Sequence, residues 1–138
     1  MATAMKGSHK AIGAYYERLR AFEGQGVGHE LAVRSAFQDL LAEAAKSRGW
    51  TLIPELTLKV GGKLVRPDAT LRDEWHLPRG YWEAKDSADV LDDEVRKKIE
   101  RGYPLVNTIF EDTRRGVLFQ NGREALRADL RQPDDLNF

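Results

Sequence analysis

The chain has 138 residues, of which 41% are hydrophobic and 32% charged, and its formal net charge is zero. This length suits one domain with a real core, and the neutral balance argues against an autonomous, strongly electrostatic nucleic-acid binder. With no cysteine and only three histidines, the composition excludes disulfides and makes a zinc site unexpected, so any metal ion should be bound by oxygen ligands.

The first third of the chain is predicted to be helical. Residues 9–22, "HKAIGAYYERLRAF", have an amphipathic pattern, and the following "GQGVG" indicates a flexible joint. A longer helix is predicted from about His29 to Arg48, where a glycine ends the pattern. Glu30 lies on the apolar face of this helix, seven residues before Phe37, so its carboxylate is expected to point inward.

Three strands are predicted next. Alternation of apolar and polar residues runs from Leu52 to Val60, and a return strand runs from Leu64 to Leu71. The pair Gly61-Gly62 between them is typical of a tight hairpin turn. After a connecting loop, "RDEWHLPRG", the aromatic run from Tyr81 to Asp86 is predicted as the third strand.

The rest of the chain is predicted to contain a helix and two strands. Residues 89–102 have acidic side chains in the first turns and basic ones in the last, which suits the helix dipole. Strands are predicted over 105–110 and 116–120, and a short helix after Asn121-Gly122. The order of elements predicts an α/β domain with a mixed β-sheet flanked by helices.

Two carboxylates and a lysine converge on the predicted strands. Glu83 and Lys85 are two residues apart, so they share one face of a strand about 7 Å apart, and Asp68 joins them if its strand is the neighbour. Carboxylate oxygens can hold Mg²⁺ beside substrate phosphate oxygens, and Lys85 could orient or deprotonate a water or contact the phosphate. Glu30 could complete the metal site or hold a second ion. Manganese is expected to substitute for magnesium.

Pro67-Asp68 followed by Glu83-Ala84-Lys85 resembles the signature of the PD-(D/E)xK nuclease superfamily. Over roughly residues 10–122, "LVRPDATLRD", "LPRGYWEAKD", "KIERGYPL" and "VLFQNG" resemble the N-terminal nuclease domain of the large single-chain restriction–modification enzymes of the type ISP kind. The resemblance implies a restriction-endonuclease-like fold and an endonuclease that acts on double-stranded DNA. It also implies magnesium held by Asp68, Glu83 and the backbone carbonyl of Ala84, with Glu30 as an accessory residue.

The same resemblance implies a larger protein around this domain. A helicase-like ATPase and a methyltransferase would follow in the same chain, and the isolated domain is expected to be a monomer. Three segments are accordingly predicted: a helical lead with its glycine-rich joint over 1–27, a nuclease core over 28–131, and a tail or linker start over 132–138. No apolar run approaches the ~20 residues of a membrane span, which favours a cytoplasmic protein without a membrane partner.

Other interpretations stay open at this point. Taken singly, Asp68 could be a turn residue, and Glu83 with Lys85 a surface strand pair. The alternatives for function are a catalytically silent module that binds DNA or a partner, and another superfamily nuclease such as a junction resolvase or a repair nuclease. Gln120, predicted to end a strand near the site, could face DNA or simply end the strand. His29 could touch phosphate, cap the helix or lie on the surface.

Overall fold

A computed structural model describes residues 10–26, 30–85, 90–112 and 114–130, apart from the side chains of residues 30–32. The elements in chain order are α1 (Lys10–Gly24), α2 (Glu30–Lys46), β1 (Thr51–Pro54), β2 (Leu58–Val60), β3 (Lys63–Val65), β4 (Ala69–Arg72), β5 (Pro78–Ala84), α3 (Leu91–Glu100), β6 (Thr108–Glu111), β7 (Arg115–Gln120) and β8 (Arg123–Asp129). Among the described residues, no helix is long and apolar enough to cross a membrane.

Six of the strands form one sheet in the order β1-β4-β5-β6-β7-β8, while β2 and β3 form a separate hairpin. The central pair β5 and β6 is parallel, and the other neighbours are antiparallel. A parallel pair needs a crossover connection, and α3 supplies it. The predicted fold class, an α/β domain with a mixed sheet flanked by helices, is confirmed.

Both faces of the sheet are covered, which buries the side chains of the central strand β5 on either side. On one face, α1 and α2 pack against the sheet through a cluster that contains Phe37 and Trp82. On the other face, Leu91 and Val95 of α3 pack against Phe110 of β6. The predicted apolar stripe of α2 is therefore present and faces the sheet.

The strand boundaries differ from those predicted. The expected strand over residues 52–60 is two strands, because the chain turns after Pro54 at Glu55, whose φ is 53°. The return strand over 64–71 is likewise divided into β3 and β4 by the segment around Pro67. The tight turn at Gly61-Gly62 is confirmed, with both glycines at positive φ.

The short helix predicted after Asn121-Gly122 is wrong. These residues have φ values of 53° and 78°, the left-handed conformation of a two-residue hairpin turn. The following segment is strand β8, paired antiparallel with β7. In addition, β6 begins at Thr108 rather than at 105, and β5 begins three residues earlier than predicted, at Pro78.

Helix α1, predicted as a lead, packs into the main core. Ile12 and Tyr15 are 1% and 2% exposed and belong to the same cluster as Trp82. The Tyr16 hydroxyl also donates a hydrogen bond to the carbonyl of Leu130 at the end of β8. The predicted segment boundaries, at residues 27/28 and 131/132, lie outside the described residues.

Candidate functional site

The pairing of β4 with β5 brings the two predicted carboxylates together. Ala69 lies opposite Trp82 in this antiparallel pair, and continuing the register places Asp68 opposite Glu83. The backbone N–H of Ala84 donates a 2.7 Å hydrogen bond to Asp68 Oδ2. Asp68 is therefore held in place by the neighbouring strand, although it lies just outside β4 itself.

Glu83 is a buried carboxylate, only 4% exposed, at the end of β5. Burial, together with a hydrogen bond to Asp68 and repulsion from its charge, raises the pKa of Glu83 to about 7. Lys98 and Tyr103 oppose this shift. Glu83 Oε2 finds no hydrogen-bond donor among the described residues, and the Lys98 ammonium lies 3.4 Å away as an ion pair.

Lys85 follows β5 directly and shares the α3 side of the sheet with Glu83. Its ammonium lies 3.9 Å from Glu94 Oε2 on α3, and its side chain is 15% exposed. Burial lowers the pKa of Lys85, an effect that the charge of Glu83 opposes and that of Lys98 reinforces. A lysine in this environment gives up its proton more readily than a solvated one.

Three further residues surround the carboxylates and were not predicted from the sequence as site residues. Arg34 of α2 lies 3.7 Å from Asp68 Oδ1. Lys98 of α3 donates a 3.2 Å hydrogen bond to the hydroxyl of Tyr103 and pairs with Glu83. Burial would lower the pKa of Lys98, but the charge of Glu83 and the contact with Tyr103 raise it overall. Of the three, only Lys98 could have been found from the sequence. It falls seven residues after the buried Leu91, so helical periodicity places it on the face of α3 that packs against the sheet.

Some sequence-predicted residues do not join this group. Glu30 is the first residue of α2, but its side chain lies outside the described residues, as does His29. The expectation that Gln120 lies near the site is wrong. Strand β7 runs antiparallel to β6, so Gln120 lies at the opposite end of the sheet, where its amide donates a 2.7 Å hydrogen bond to Asn107.

The described carboxylates suit a divalent cation held by oxygen. No cluster of three or more His, Cys, Asp or Glu side chains that could hold a metal occurs within the described ranges, so the described donors are Asp68, Glu83 and backbone oxygens. The two carboxylates repel each other, and one oxygen of Glu83 lacks a hydrogen bond. A hard cation would relieve that repulsion and use the free oxygen, which fits Mg²⁺ or Mn²⁺.

Comparison with known proteins shows that this fold is similar to part of a protein whose structure was solved in complex with DNA. No protein-family model matches the sequence, and no curated protein matches it. One solved structure that matches this chain is that of the DrdV–DNA complex, determined by cryo-electron microscopy. Over 92% of this chain the two sequences are 46% identical, with a TM-score of 0.86, but the match spans only 13% of the longer chain. The domain thus has the same architecture as one part of a much larger protein.

Proposed function

We propose that this chain is the metal-dependent DNA endonuclease module of a larger restriction–modification protein and that it hydrolyses phosphodiester bonds. The observation that carries the proposal is the contact between Asp68 and Glu83 on adjacent strands, with Lys85 beside them. The similarity to part of the DrdV–DNA complex supports DNA as the substrate. Since that chain is far longer, the similarity also supports a larger full-length protein, for which we propose a helicase-like ATPase and a methyltransferase in the same chain.

Asp68, Glu83 and the Ala84 carbonyl are the groups that would hold Mg²⁺, or Mn²⁺ in its place, with Glu30 as an accessory carboxylate. When bound, such an ion lowers the pKa of a coordinated water and offsets the negative charge that develops on the phosphate. The chain contributes the orientation of these oxygens. The Ala84 N–H fixes one oxygen of Asp68, and the core packing of β5 leaves Glu83 little freedom to turn away.

Lys85 would position the attacking water or accept its proton, and it could contact the scissile phosphate. Its lowered pKa favours the proton-accepting role, because a neutral amine is more accessible than in a solvated lysine. Lys98 would keep a positive charge beside Glu83 and limit the repulsion within the site. One site per chain cuts one strand, so a double-strand break would need two copies, each acting as a monomeric module.

Nicking of supercoiled plasmid in Mn²⁺ tests the proposal with the native chain, Asp68→Asn and Lys85→Met. We expect the nicking rate of both variants to fall by at least about 100-fold, because Asp68→Asn removes a charge that would hold the metal ion and Lys85→Met removes the proposed proton acceptor. Asp39→Asn and Lys46→Met are the matched controls, because they make the same charge changes at exposed residues in ion pairs on α2, and they should nick at the native rate.

Two outcomes would contradict the proposed chemistry. Equal nicking by all five proteins would show that a contaminant or another site is responsible. Absence of nicking by the native chain, while it still binds DNA, would favour the catalytically silent module instead. Circular dichroism on every variant separates loss of activity from loss of fold.

A further inference from the structure

A groove on the α3 side of the molecule takes no part in the proposed hydrolysis step. It lies between the β2–β3 hairpin and the C-terminal end of α3, with a volume of about 630 Å³. We refer to it as the basic groove. Its lining consists of Lys63, Leu64, Val65, Arg66, Glu100, Arg101 and Tyr103. Three of these side chains are cationic and one is anionic, in a protein whose net charge is zero.

The three cations of the basic groove lack the carboxylate partners that neighbouring cations have. On α3, Arg96, Lys97 and Lys98 each lie 3.1–3.6 Å from a carboxylate oxygen. Among the described residues, the three groove cations form no ion pair, and all three are exposed. Their charge is therefore not neutralised by ion pairs within the described fold, and a concave surface with an excess of positive charge attracts anions.

The basic groove leads directly to the candidate site. Tyr103 forms part of its lining, and the Tyr103 hydroxyl accepts a hydrogen bond from Lys98 and donates one to the Arg66 carbonyl. Lys98 in turn lies 3.4 Å from Glu83 Oε2. Arg66 also precedes Asp68 by only two residues. One end of the groove is thus connected to Glu83 by two hydrogen bonds and one ion pair.

We propose that the basic groove binds the phosphate backbone of the DNA strand that enters the candidate site. This inference rests on the proposed function and adds the surface by which the substrate is held. Arginine and lysine side chains are the usual donors to phosphate oxygens, and such contacts fix the position of a strand without reading its sequence. Binding here should release counterions and should therefore weaken steeply with salt.

The test replaces the three groove cations by glutamine, as Lys63→Gln/Arg66→Gln/Arg101→Gln. The matched control is Lys10→Gln/Arg20→Gln/Arg123→Gln, which removes three exposed cations that form no ion pair with the described residues. Binding of a fluorescein-labelled DNA duplex is followed by fluorescence anisotropy in EDTA, over a range of salt concentrations. Because EDTA prevents cleavage, this measurement does not depend on catalysis.

We expect the groove variant to bind at least about tenfold more weakly than the control at ~100 mM salt, because each cation that pairs with a phosphate supplies a share of the electrostatic free energy. The slope of log K against log salt should fall by about 0.9 for each phosphate-binding cation that is replaced, so by up to about 2.7. Equal affinity and slope in the groove and control variants would overturn the inference. So would absence of duplex binding by the native chain at low salt.

Nicking separates this inference from the proposed function. If the native chain does not nick DNA but its binding depends on the groove, the proposed chemistry fails and the groove assignment stands. If the groove and control variants nick plasmid equally fast at subsaturating protein, the chemistry stands and the groove assignment fails. A labelled single strand, run in parallel, shows whether the groove needs a duplex or accepts one strand alone.

Discussion

Glu83 bears the strongest electrostatic conflict among the residues of the candidate site. Its carboxylate is 4% exposed, it lies beside a second carboxylate, and one of its oxygens has no hydrogen bond within the described structure. Burying an ionisable group in this way is unfavourable unless the charge is paired. Lys98 pairs it only in part, since its ammonium lies 3.4 Å away without a hydrogen bond. If position 83 served stability alone, an amide or an apolar side chain would be more favourable there than a carboxylate. The presence of a carboxylate therefore argues for a role in the chemistry.

The stability of the metal-free protein should therefore depend on the protonation of Glu83. Its pKa rises from 4.5 to about 7 on folding, so the folded state binds the proton more tightly than the unfolded state. The free energy of unfolding should then fall as the pH rises from about 4.5 to 7. Glu83→Gln cannot ionise, and at pH 8 in EDTA we expect it to be more stable than the native chain by up to about 3 kcal/mol.

Urea denaturation at pH 4.5 and pH 8 measures this difference, which should nearly vanish at the lower pH. Glu94→Gln is the control, because the pKa of Glu94 is shifted in the opposite direction to that of Glu83. A hydrogen bond from Lys97 and nearby positive charges lower the pKa of Glu94 despite some desolvation, so that variant should gain no stability at pH 8. If Glu83→Gln were destabilised at pH 8, the pairing with Lys98 would outweigh burial.

A site residue could be predicted from the sequence only where it lies on the same predicted strand as another site residue or on a neighbouring one. The positions of Glu83 and Lys85 on one face follow from their spacing in a strand, and Asp68 follows from the neighbouring strand. Arg34 and Tyr103 come from other parts of the chain, and no local pattern connects them with the carboxylates. Gln120 was misplaced because a sequence pattern identifies a strand but not the direction in which it runs through the sheet.

At the scale of elements, the errors occurred where turns override a regular pattern. The alternation over residues 52–60 continues through Glu55, so it does not show that the chain leaves the main sheet there and enters the β2–β3 hairpin. Strand β8, "REALRAD", consists largely of good helix formers, and its propensity predicts a helix. The Asn121-Gly122 turn returns the chain along β7, and pairing with β7 decides the conformation.

Two glycine substitutions test this account of the elements. At Gly122, φ is 78° and a Cβ would meet nothing within 4 Å, so Gly122→Ala should cost about 1–2 kcal/mol from backbone conformation alone. Gly13 lies within helix α1, where a Cβ also meets nothing within 4 Å. There alanine should stabilise by about 0.5–1 kcal/mol. Urea denaturation of the two variants should give shifts of opposite sign, and a neutral Gly122→Ala would contradict the turn assignment.

Across the whole molecule, an aromatic stack joins the helical layer to the strand that bears the site. The ring of Tyr15 in α1 meets Phe37 of α2 edge-on at 5.7 Å, and Phe37 stacks on Trp82 of β5 at 5.9 Å. The Trp82 indole N–H donates a 2.9 Å hydrogen bond to Glu111 of β6. Trp82 directly precedes Glu83, so packing of α1 helps to fix the backbone that positions the carboxylate.

Tyr15→Ala should consequently destabilise the protein by about 3–5 kcal/mol, as expected for removal of a large buried aromatic ring. Trp82 is only 1% exposed, whereas Trp75 is already 71% exposed. Loosening the stack should expose Trp82 to water and shift its fluorescence emission to longer wavelength. Glu17→Ala, at an exposed position of the same helix, is the control and should change the free energy of unfolding by less than about 0.5 kcal/mol. If the two variants proved equally stable, α1 would be only a lead, as the sequence pattern predicts, and the folded core would begin at α2.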